Sequence, residues 1–553
     1  MNNMPFSFSH SYTINPHYAK RVAYFCMEMG IHQPLKNYAG GLGYLAGSHM
    51  RSAYQLGQQL VGISILWKYG YYNQVRKQDQ QMDVLFEEKN YGFLVPTGIR
   101  FTIPVARQAV WVTAYYLPPE VFNTAPVFFL STDLPENDYL SKTISHRLYD
   151  ANPETRVAAS ILLGRGGAVL LEKLEWEAEM YHMNESHGLP LAFHLYNRYH
   201  DADAVRKRLV FTNHTPEVSG NPHNGLRLLE KMGFFCDVPV PVVRALTRSE
   251  DEELDYTLSA LRLSGKANAV SRSHLATLKK MWAGHEQLCE LIAVTNAQDF
   301  LYWHNRDLYQ ALERHDDEAL RQTKIAGKHA LFEEVADQCG EIYDEKICTL
   351  VFAKRFAGYK RPDIFFHDMD RFHRLVTNTR YPVQIVWAGK PYPMDYAAIG
   401  VFDKIVDICK TYSNCSILCG YELRLSRLLK AGADLWLNVP RMTHEASGTS
   451  GMSAAMNGAL NLALPDGWFP EFARDGDNAF VIPPGDLTAS DDQQDDADAA
   501  SLYTLLETVV LPMYYNNPDR WLAMMKNGMR DIVPYFDSKR MAAAYYDLMY
   551  LER

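Results

Sequence analysis

The sequence predicts an α/β protein with more than one domain. Its 553 residues exceed what a single hydrophobic core commonly organises, because domains of about 100 to 250 residues are usual. In the second half of the chain, short apolar runs of strand type alternate with helical stretches, a pattern typical of a parallel sheet. Near the start, a similar run leads through a glycine-rich turn into a helix, which is the order of a βα unit.

The first βα unit begins with the apolar run RVAYFCM at residues 21–27. Residues 37–50 form the turn-rich segment that follows, and a helix is predicted from Leu45 to Leu56. Glycines bring the backbone close to a ligand and the helix start favours an anion, although a tight structural turn explains the glycines equally well. The spacing is not GxGxxG, which weakens a dinucleotide interpretation. The loop glycines are Gly40, Gly41 and Gly43.

The rest of the first half alternates strands, helices and polar clusters. Residues 60–66 are predicted as a strand, residues 95–131 as a β-rich insertion and residues 155–173 as a helix interrupted by glycines. The polar clusters are YHMNESHG (181–188) and LVFTNHTPEVSG (209–220). Because open α/β sheets bind ligands beyond the carboxyl ends of their strands, both clusters are candidate substrate contacts.

The histidines of the first cluster do not have the spacing of a zinc site. His182 and His187 lie five residues apart around Glu185, which differs from the HExxH pattern. No metal site is predicted. The two histidines either contact a substrate or are satisfied within the fold, and the sequence leaves both open.

A charged segment of helical period follows the first α/β pattern, and a second pattern begins at Ile347. Two such domains would place their loops in one cleft. The predicted parts are an N-terminal domain (1–305), a helical linker (306–345), a C-terminal domain (346–500) and C-terminal helices that pack back across the cleft (501–553).

A cationic loop, KRFAGYKR at residues 354–361, follows the predicted strand LVFA. Arginine forks and lysine point charges at the end of a strand suit a phosphate or diphosphate, although solvation at the surface is the alternative. The loop contributes Lys354, Arg355, Lys360 and Arg361.

A second loop, EASGTSGM at residues 445–452, lacks an apolar period and leads into a helix predicted from Met452 to Leu462. Unpaired N–H groups at such a helix start favour an anion, while a simple helix cap beside a core turn is the other interpretation. With the glycine loop and the cationic loop, three elements that favour anions occur in one chain.

The amino-acid composition indicates which classes of partner to exclude and which cellular compartment to expect. A net charge of −10 argues against nucleic acid or an anionic membrane as the main partner. The eight scattered cysteines are expected to be free thiols in a reducing compartment, and no signal sequence or membrane span is predicted. We therefore expect a cytoplasmic protein. The acidic segment at residues 489–501 is expected to be exposed.

Ordered motifs along the chain resemble the glycogen and α-glucan phosphorylase family, particularly its short bacterial form. The motifs are YFCMEMGIHQPLKNYAGGLGYLAG (24–47), YHMNESHG, FTNHTPEVSG (211–220), KRFAGYKR, WAGKPYP (387–393), DLWLNVPR (434–441), EASGTSGM and NGALNLALPDGW (457–468). The resemblance implies the GT-B fold, in which two Rossmann-like domains flank an active-site cleft. It also implies retaining transfer of glucose between an α-1,4-glucan and a phosphate, with pyridoxal phosphate as cofactor.

The resemblance assigns roles to residues at matching positions. It implies catalytic roles for His214, Arg355 and Lys360. It implies phosphate or diphosphate binding by Gly40, Gly41, Gly43, Lys354, Arg355, Lys360, Thr449 and Ser450. It implies sugar binding by His214, Asn296, Glu445, Ser447 and Gly448.

One departure from the family pattern decides what can be expected of the cofactor. Ser453 stands where the family has the lysine that binds pyridoxal phosphate as a Schiff base. A hydroxyl cannot form an imine with an aldehyde, and no lysine lies between Lys430 and Lys526, so covalent attachment is not expected. Ser48 and Ala297 are lesser departures, at positions where short-form members usually have an acid and a glycine.

Three functions remain open on the sequence. The first is a retaining glycosyltransferase with a nucleotide-sugar donor and a glucan or oligosaccharide acceptor. The second is a phosphorylase that uses glucose 1-phosphate with noncovalent pyridoxal phosphate, or one whose lysine was deliberately replaced. The third is a non-catalytic glucan-binding relative. The sequence does not indicate an oligomeric state.

Overall fold

The computed structural model describes residues 6–217 and 220–551, so Val218 and Ser219 of the second polar cluster lie outside the described residues. The described residues form two compact units. The first unit comprises the described residues of Met1–Tyr71, Phe86–Thr295 and Ser538–Arg553, and the second comprises Tyr72–Leu85 and Asn296–Asp537.

The strands, in chain order, are β1 (Val22–Cys26), β2 (Leu60–Ile65), β3 (Asn73–Arg76), β4 (Met82–Leu85), β5 (Val95–Val105), β6 (Gln108–Leu117), β7 (Val127–Ser131), β8 (Met180–Asn184), β9 (Leu209–Thr212), β10 (His223–Gly225), β11 (Glu253–Asp255), β12 (Lys266–Ala269), β13 (Glu290–Ala293), β14 (Cys348–Ala353), β15 (Val383–Ala388), β16 (Cys415–Leu418), β17 (Leu435–Asn438), β18 (Leu460–Ala463) and β19 (Phe480–Val481).

The α-helices are α1 (Gly41–Leu56), α2 (Pro119–Phe122), α3 (Tyr139–Thr143), α4 (Pro153–Ile161), α5 (Gly167–Lys173), α6 (Pro190–Tyr199), α7 (Ala202–Arg206), α8 (Leu226–Met232), α9 (Val240–Thr247), α10 (Tyr256–Leu263), α11 (Arg272–Met281), α12 (Phe300–Trp303), α13 (Arg306–Glu313), α14 (Asp317–Cys339), α15 (Met369–Val376), α16 (Tyr396–Cys409), α17 (Leu423–Gly432), α18 (Ser450–Ala455), α19 (Asp491–Leu505), α20 (Leu511–Asn516), α21 (Pro518–Phe536) and α22 (Ser538–Tyr545). Within the described residues, no helix is both long enough and apolar enough to span a bilayer.

The first unit is built on a sheet with the order β13-β12-β9-β8-β1-β2-β7-β6-β5. Its strands are parallel from β13 to β7, and the predicted β-rich insertion supplies the antiparallel strands β6 and β5. The direction in which the chain adds strands reverses between β1 and β8. In a doubly wound sheet such a switch point, at the carboxyl ends of the strands, is where ligands bind.

The second unit has a six-stranded parallel sheet with the order β16-β15-β14-β17-β18-β19. Numbered from its own first strand, the order is 3-2-1-4-5-6, with a switch point between β14 and β17. The predicted cationic loop follows β14, and the segment that leads to EASGTSGM follows β17. The α/β class and the parallel sheets are therefore confirmed. The GT-B arrangement of the two units remains a prediction.

The units differ from the predicted domain borders. Helix α14, inside the predicted linker, belongs to the second unit because its apolar side chains are buried there. Leu331, Phe332 and Val335 pack in one core with Leu429 and Trp436. The C-terminal helices also divide, since α19 to α21 belong to the second unit and α22 belongs to the first.

Two predicted helices have different bounds. The helix expected from Met452 to Leu462 ends at Ala455, because Gly458 turns the chain at a φ of +72° and residues 460–463 become β18. The expected interruption of residues 155–173 is instead a π-helical turn, Leu162–Gly166, that joins α4 to α5. Glycine is needed at 167, since a Cβ there would lie 2.5 Å from the Phe25 ring.

Candidate active site

In the first unit, a carboxylate of this chain already binds the glycine loop. Glu28, two residues beyond β1, accepts hydrogen bonds from the backbone N–H groups of Ala39 (2.8 Å), Gly40 (3.2 Å) and Gly43 (3.2 Å) through Oε2. A Cβ at position 43 would lie 2.9 Å from that oxygen and 2.4 Å from the Tyr38 Cβ, so glycine is required there. Helix α1 starts at Gly41, four residues before the predicted start. Of the three glycines expected to bind an external anion, Gly40 and Gly43 thus have an internal acceptor for their N–H groups.

At the end of β8, Glu185 organises the second polar cluster of this unit. Its carboxylate accepts hydrogen bonds from the His214 N–H (2.6 Å), the Thr215 hydroxyl (3.2 Å) and the Ser186 N–H (3.3 Å). Its backbone has a φ of 70°, a region that few non-glycine residues occupy and that is often found at functional sites. Burial raises the pKa of Glu185 to about 7, against the opposing effect of these hydrogen bonds.

The three predicted histidines have different environments. His214 Nε2 lies 2.7 Å from Asn184 Oδ1, which can only accept, so Nε2 carries the proton. Burial lowers the pKa of His214 to about 3, and its imidazole is neutral at physiological pH. His182 has a structural role, since its ring nitrogens are both 2.6 Å from hydroxyls, those of Tyr550 and Thr212. His187 Nδ1 is buried without a hydrogen-bond partner among the described residues.

The raised pKa of Glu185 predicts a specific pH dependence. Folding favours the protonated carboxyl, so its contribution to stability is most favourable below pH 4.5 and falls as the pH rises through about 7. Relative to Glu185→Gln, the wild type should lose up to about 3 kcal/mol of unfolding free energy between pH 4.5 and 8. Urea unfolding of both proteins across this range measures the difference. Glu179→Gln, which changes an exposed carboxylate, is the control. The prediction is contradicted if the difference in unfolding free energy between wild type and Glu185→Gln is as independent of pH as the difference for the control.

In the second unit, Lys354 connects the cationic loop to the start of α18. It follows β14 directly, and its Nζ lies 3.4 Å from the Ser450 hydroxyl, which also accepts a hydrogen bond from the Trp436 indole at 3.2 Å. Burial, together with the charge of Lys360, lowers the pKa of Lys354 to about 7. A nearby anion would stabilise its charged form.

Lys360 and Glu445, expected to bind phosphate and sugar, form a buried salt bridge with each other. Burial alone would lower the pKa of Lys360, but the Glu445 carboxylate outweighs it and the net shift is upward. The Glu445 N–H donates to Asp466 Oδ2 at 3.0 Å, and burial raises the pKa of Asp466 to about 6. Arg355 is exposed on the same loop. The charges of this site thus partly neutralise one another.

Two amide oxygens in the second unit lack partners. Asn296 and Asn438 are each 4% exposed, and the Oδ1 atom of each is buried without a hydrogen-bond donor among the described residues. A buried acceptor in this state is costly unless a ligand or water satisfies it, and sugar hydroxyls are suitable donors. Gly448 turns the adjoining loop at a φ of +73°, and the carbonyl of Ser447 accepts the Trp468 N–H at 3.0 Å.

Ser453 lies inside α18 and is 1% exposed. Its hydroxyl lies 3.3 Å from the carbonyl oxygens of both Thr449 and Ser450 and shares its single proton between them, a back-bond common for serines in helices. Lys430, the nearest lysine before it in sequence, has its Nζ 3.5 Å from the centre of the Trp303 ring, and burial lowers its pKa. The residue at position 453 therefore does not fit a covalent link to pyridoxal phosphate.

The acidic segment is exposed only in part: Asp491, Asp492 and Asp496 are exposed as expected, but two other aspartates are not. It forms α19, in which Asp495 and Asp498 are buried because both pair with Arg361 at 2.8 Å. The Arg361 guanidinium also donates to the carbonyls of Val439 (2.8 Å) and Pro440 (3.1 Å). This cluster, the Arg361 network, joins the cationic loop to the segment after β17.

Residues 261–482 match the Phosphorylase family, described as carbohydrate phosphorylase. The maltodextrin phosphorylase of Thermococcus litoralis is 32% identical over 97% of this chain and 71% of its own length. The glycogen phosphorylase of Aquifex aeolicus is 31% identical over 96% of this chain and 86% of its own length. The chain belongs to the carbohydrate phosphorylase family. An uncharacterised protein of Methanocaldococcus jannaschii is 44% identical over 96% of this chain and over its own full length.

For this member of the carbohydrate phosphorylase family, sequence reasoning missed four polar residues. All four lie inside the quoted motifs without an assigned role: Glu28, Asn438 and Asp466 are at or just beyond the ends of β1, β17 and β18, and Glu185 follows β8. Their positions could have identified them, because each is a carboxylate or amide that lies zero to three residues after the end of a buried strand. The roles of the predicted site residues remain predictions.

Proposed function

We propose that this protein is a retaining α-glycosyltransferase of the glucan-phosphorylase type with the GT-B arrangement. It moves a glucosyl unit between a phosphate-linked donor and a glucan or other sugar acceptor, without covalently bound pyridoxal phosphate. Membership of the carbohydrate phosphorylase family supports the reaction class. The observation that carries the proposal is the placement of Lys354 beside Ser450, at the switch point between β14 and β17.

The donor phosphate is recognised by cations of the second unit. Lys354, with its lowered pKa, regains a full charge when an anion arrives, and exposed Arg355 supplies a guanidinium fork. Lys360 is held in its charged form by Glu445. The glycine loop of the first unit plays a lesser part, because Glu28 already receives its N–H groups. As the sugar–phosphate bond breaks, this cationic group stabilises the negative charge that develops on the departing phosphate.

The sugar is oriented by unsatisfied acceptors and by a neutral imidazole. Asn296 and Asn438 offer amide oxygens to sugar hydroxyls. The hydrogen bonds that form offset the desolvation penalty of these two buried acceptors. His214 has its proton on Nε2 and stays uncharged, so it adds no positive charge near a sugar ring that becomes positive in the transition state. Glu445, buried in its salt bridge with Lys360, supplies a carboxylate that complements that developing charge.

The donor is tested by a screen in which the lysine is restored. Glucose 1-phosphate, with and without pyridoxal phosphate, is compared with nucleotide glucoses on maltooligosaccharide acceptors, for the wild type and Ser453→Lys. We expect the wild type to transfer glucose from a phosphate-linked donor without added cofactor. As purified, without added pyridoxal phosphate, the wild type should show no Schiff-base absorbance and should carry no reduced pyridoxyl adduct on any lysine after borohydride treatment, while Ser453→Lys supplied with pyridoxal phosphate should carry one at residue 453.

Ser413→Lys, which adds a lysine at an exposed position, shows how much adduct forms without a site. A site-specific adduct on the wild type would overturn the cofactor part of the proposal. Phosphorolysis that depends on added pyridoxal phosphate would favour the noncovalent phosphorylase, for which the retained Lys354 and Ser450 contact is the supporting observation. Absence of turnover with every donor, with maltooligosaccharide still bound, would indicate the binding-only relative.

A further inference from the structure

The first unit contains a pocket to which the proposed function has so far assigned no ligand. Its volume is about 140 Å³. A cavity of roughly 150 Å³ holds benzene, so this pocket has room for one six-membered ring. Its chemically distinctive lining consists of Trp67, Arg147, Tyr149, Arg156, His187 and Tyr256.

Aromatic side chains form much of the pocket wall. The Trp67 indole donates to the Met27 carbonyl at 3.0 Å, and the Tyr149 hydroxyl donates to Glu28. The Tyr256 hydroxyl accepts the Asn224 amide at 3.1 Å. The indole N–H and the two phenol hydroxyls are hydrogen-bonded within the protein. The surface that these rings present to the pocket is therefore chiefly apolar, which suits the C–H face of a sugar ring.

Two exposed arginines make the pocket cationic. The Arg147 guanidinium lies 4.0 Å from the centre of the Phe86 ring, and Arg156 donates to the carbonyls of Asp150 and Ala151, both at 3.1 Å. Neither arginine forms an ion pair with a carboxylate in residues 6–217 or 220–551. Asp150 is the one carboxylate among the lining residues. Guanidinium groups recognise phosphate and carboxylate with parallel N–H donors, and a neutral glucan offers no such group.

His187 supplies a further polar contact. Its Nδ1 is buried without a partner within the described residues, and its ring lies 5.7 Å from that of Tyr149. Burial lowers the pKa of His187 to about 4, so the ring is neutral and offers one donor and one acceptor. A hydroxyl group satisfies either nitrogen, whereas a purely apolar ligand satisfies neither.

We propose that this pocket binds a monosaccharide carrying a phosphate or carboxylate, with its ring against the aromatic wall and its anionic group bound by Arg147 and Arg156. Such a ligand is an acceptor class distinct from the end of a neutral glucan. The acceptor role rests on the proposed function, whereas binding to the pocket does not. The two can therefore fail separately.

Calorimetric titration of the full chain, without any donor, tests the binding. Glucose 6-phosphate and glucuronate are the phosphate and carboxylate probes, and glucose and inorganic phosphate are the references. At least one anionic sugar should bind about tenfold or more tightly than either reference, because ring and anion contribute together. The double variant Arg147→Gln/Arg156→Gln should weaken that binding by roughly a hundredfold, about tenfold for each arginine.

The matched control is Arg100→Gln/Arg198→Gln, which removes two exposed arginines that pair with surface carboxylates. It should leave the affinity within about twofold. Inorganic phosphate binding as tightly as the anionic sugars would reduce the pocket to a simple anion site and overturn the proposal. Equal affinities for the wild type and the Arg147/Arg156 variant would overturn it as well. If these sugars bind as expected but accept no glucosyl unit, the acceptor role is wrong.

Discussion

Replacing Arg361 with methionine is expected to lower the free energy of unfolding by about 3 to 5 kcal/mol. The guanidinium is 2% exposed, pairs with Asp495 and Asp498, and donates to two backbone carbonyls. Methionine fills a similar volume but leaves the Asp498 charge without its arginine and Asp495 with Arg441 alone. Removing one partner of a buried ion network costs far more than breaking a surface pair, because the remaining charge stays desolvated.

Urea unfolding of Arg361→Met against the wild type measures this loss. Arg424→Met is the control, since Arg424 pairs with Glu334 at the surface and should cost less than about 1 kcal/mol. The triple variant Arg361→Met/Asp495→Asn/Asp498→Asn removes the uncompensated carboxylates and should recover about half of the loss. A cost below 1 kcal/mol for Arg361→Met, or no recovery in the triple variant, would show that the network adds little.

Gly389→Ala is expected to destabilise the second unit by about 3 kcal/mol or more. A Cβ at this position would lie 1.9 Å from the Lys354 carbonyl oxygen and 2.6 Å from the Phe356 ring. The backbone cannot yield easily, since Lys354 N–H donates to the Ala388 carbonyl at 3.1 Å and Phe356 N–H to the Lys390 carbonyl at 3.2 Å. The strain therefore falls on the segment that places Lys354 beside Ser450.

Thermal and urea unfolding measure the effect, and glucosyl transfer should fall with it if Lys354 is displaced. Gly400→Ala is the matched control, because a Cβ there meets nothing within 4 Å and alanine favours helix α16. That variant should be neutral or slightly stabilising. If Gly389→Ala unfolds like the control, the close approach of the two strand ends is not a constraint.

The fold class and the family followed from the sequence because they depend on local patterns. Strand β2 is predicted at residues 60–66 and occupies residues 60–65. A run of apolar and β-branched residues between turn residues indicates a strand without any knowledge of the tertiary structure. The ordered motifs identified the family because each is a run of chemically specific residues. The strand pattern and the family motifs each depend only on residues that are close together in the sequence.

The features that were missed depend on partners distant in sequence. The acidic segment resembles an exposed tail until Arg361, more than 130 residues away, neutralises it. Likewise, the glycine loop resembles a vacant anion site until Glu28 is seen to accept its N–H groups. Helix α14 shows many charges but buries Leu331 and Val335 against strands that the chain forms later. Charged and glycine-rich patterns indicate which groups need a hydrogen-bond or ion-pair partner. The tertiary fold determines which residue is that partner.

The return of α22 to the first unit constrains the order in which the protein acquires its structure during synthesis. Residues 538–551 are translated after the whole second unit, yet the Tyr550 hydroxyl binds His182 and the Ala542 carbonyl accepts the Gln58 amide. Ser538 also contacts α1, with its hydroxyl oxygen 2.6 Å from that of Ser52. The buried faces of α1 and β8 therefore stay uncovered while some 240 residues of the second unit leave the ribosome. Nascent chains should expose apolar surface of the first unit throughout that interval, and that is when chaperone binding and aggregation should be greatest.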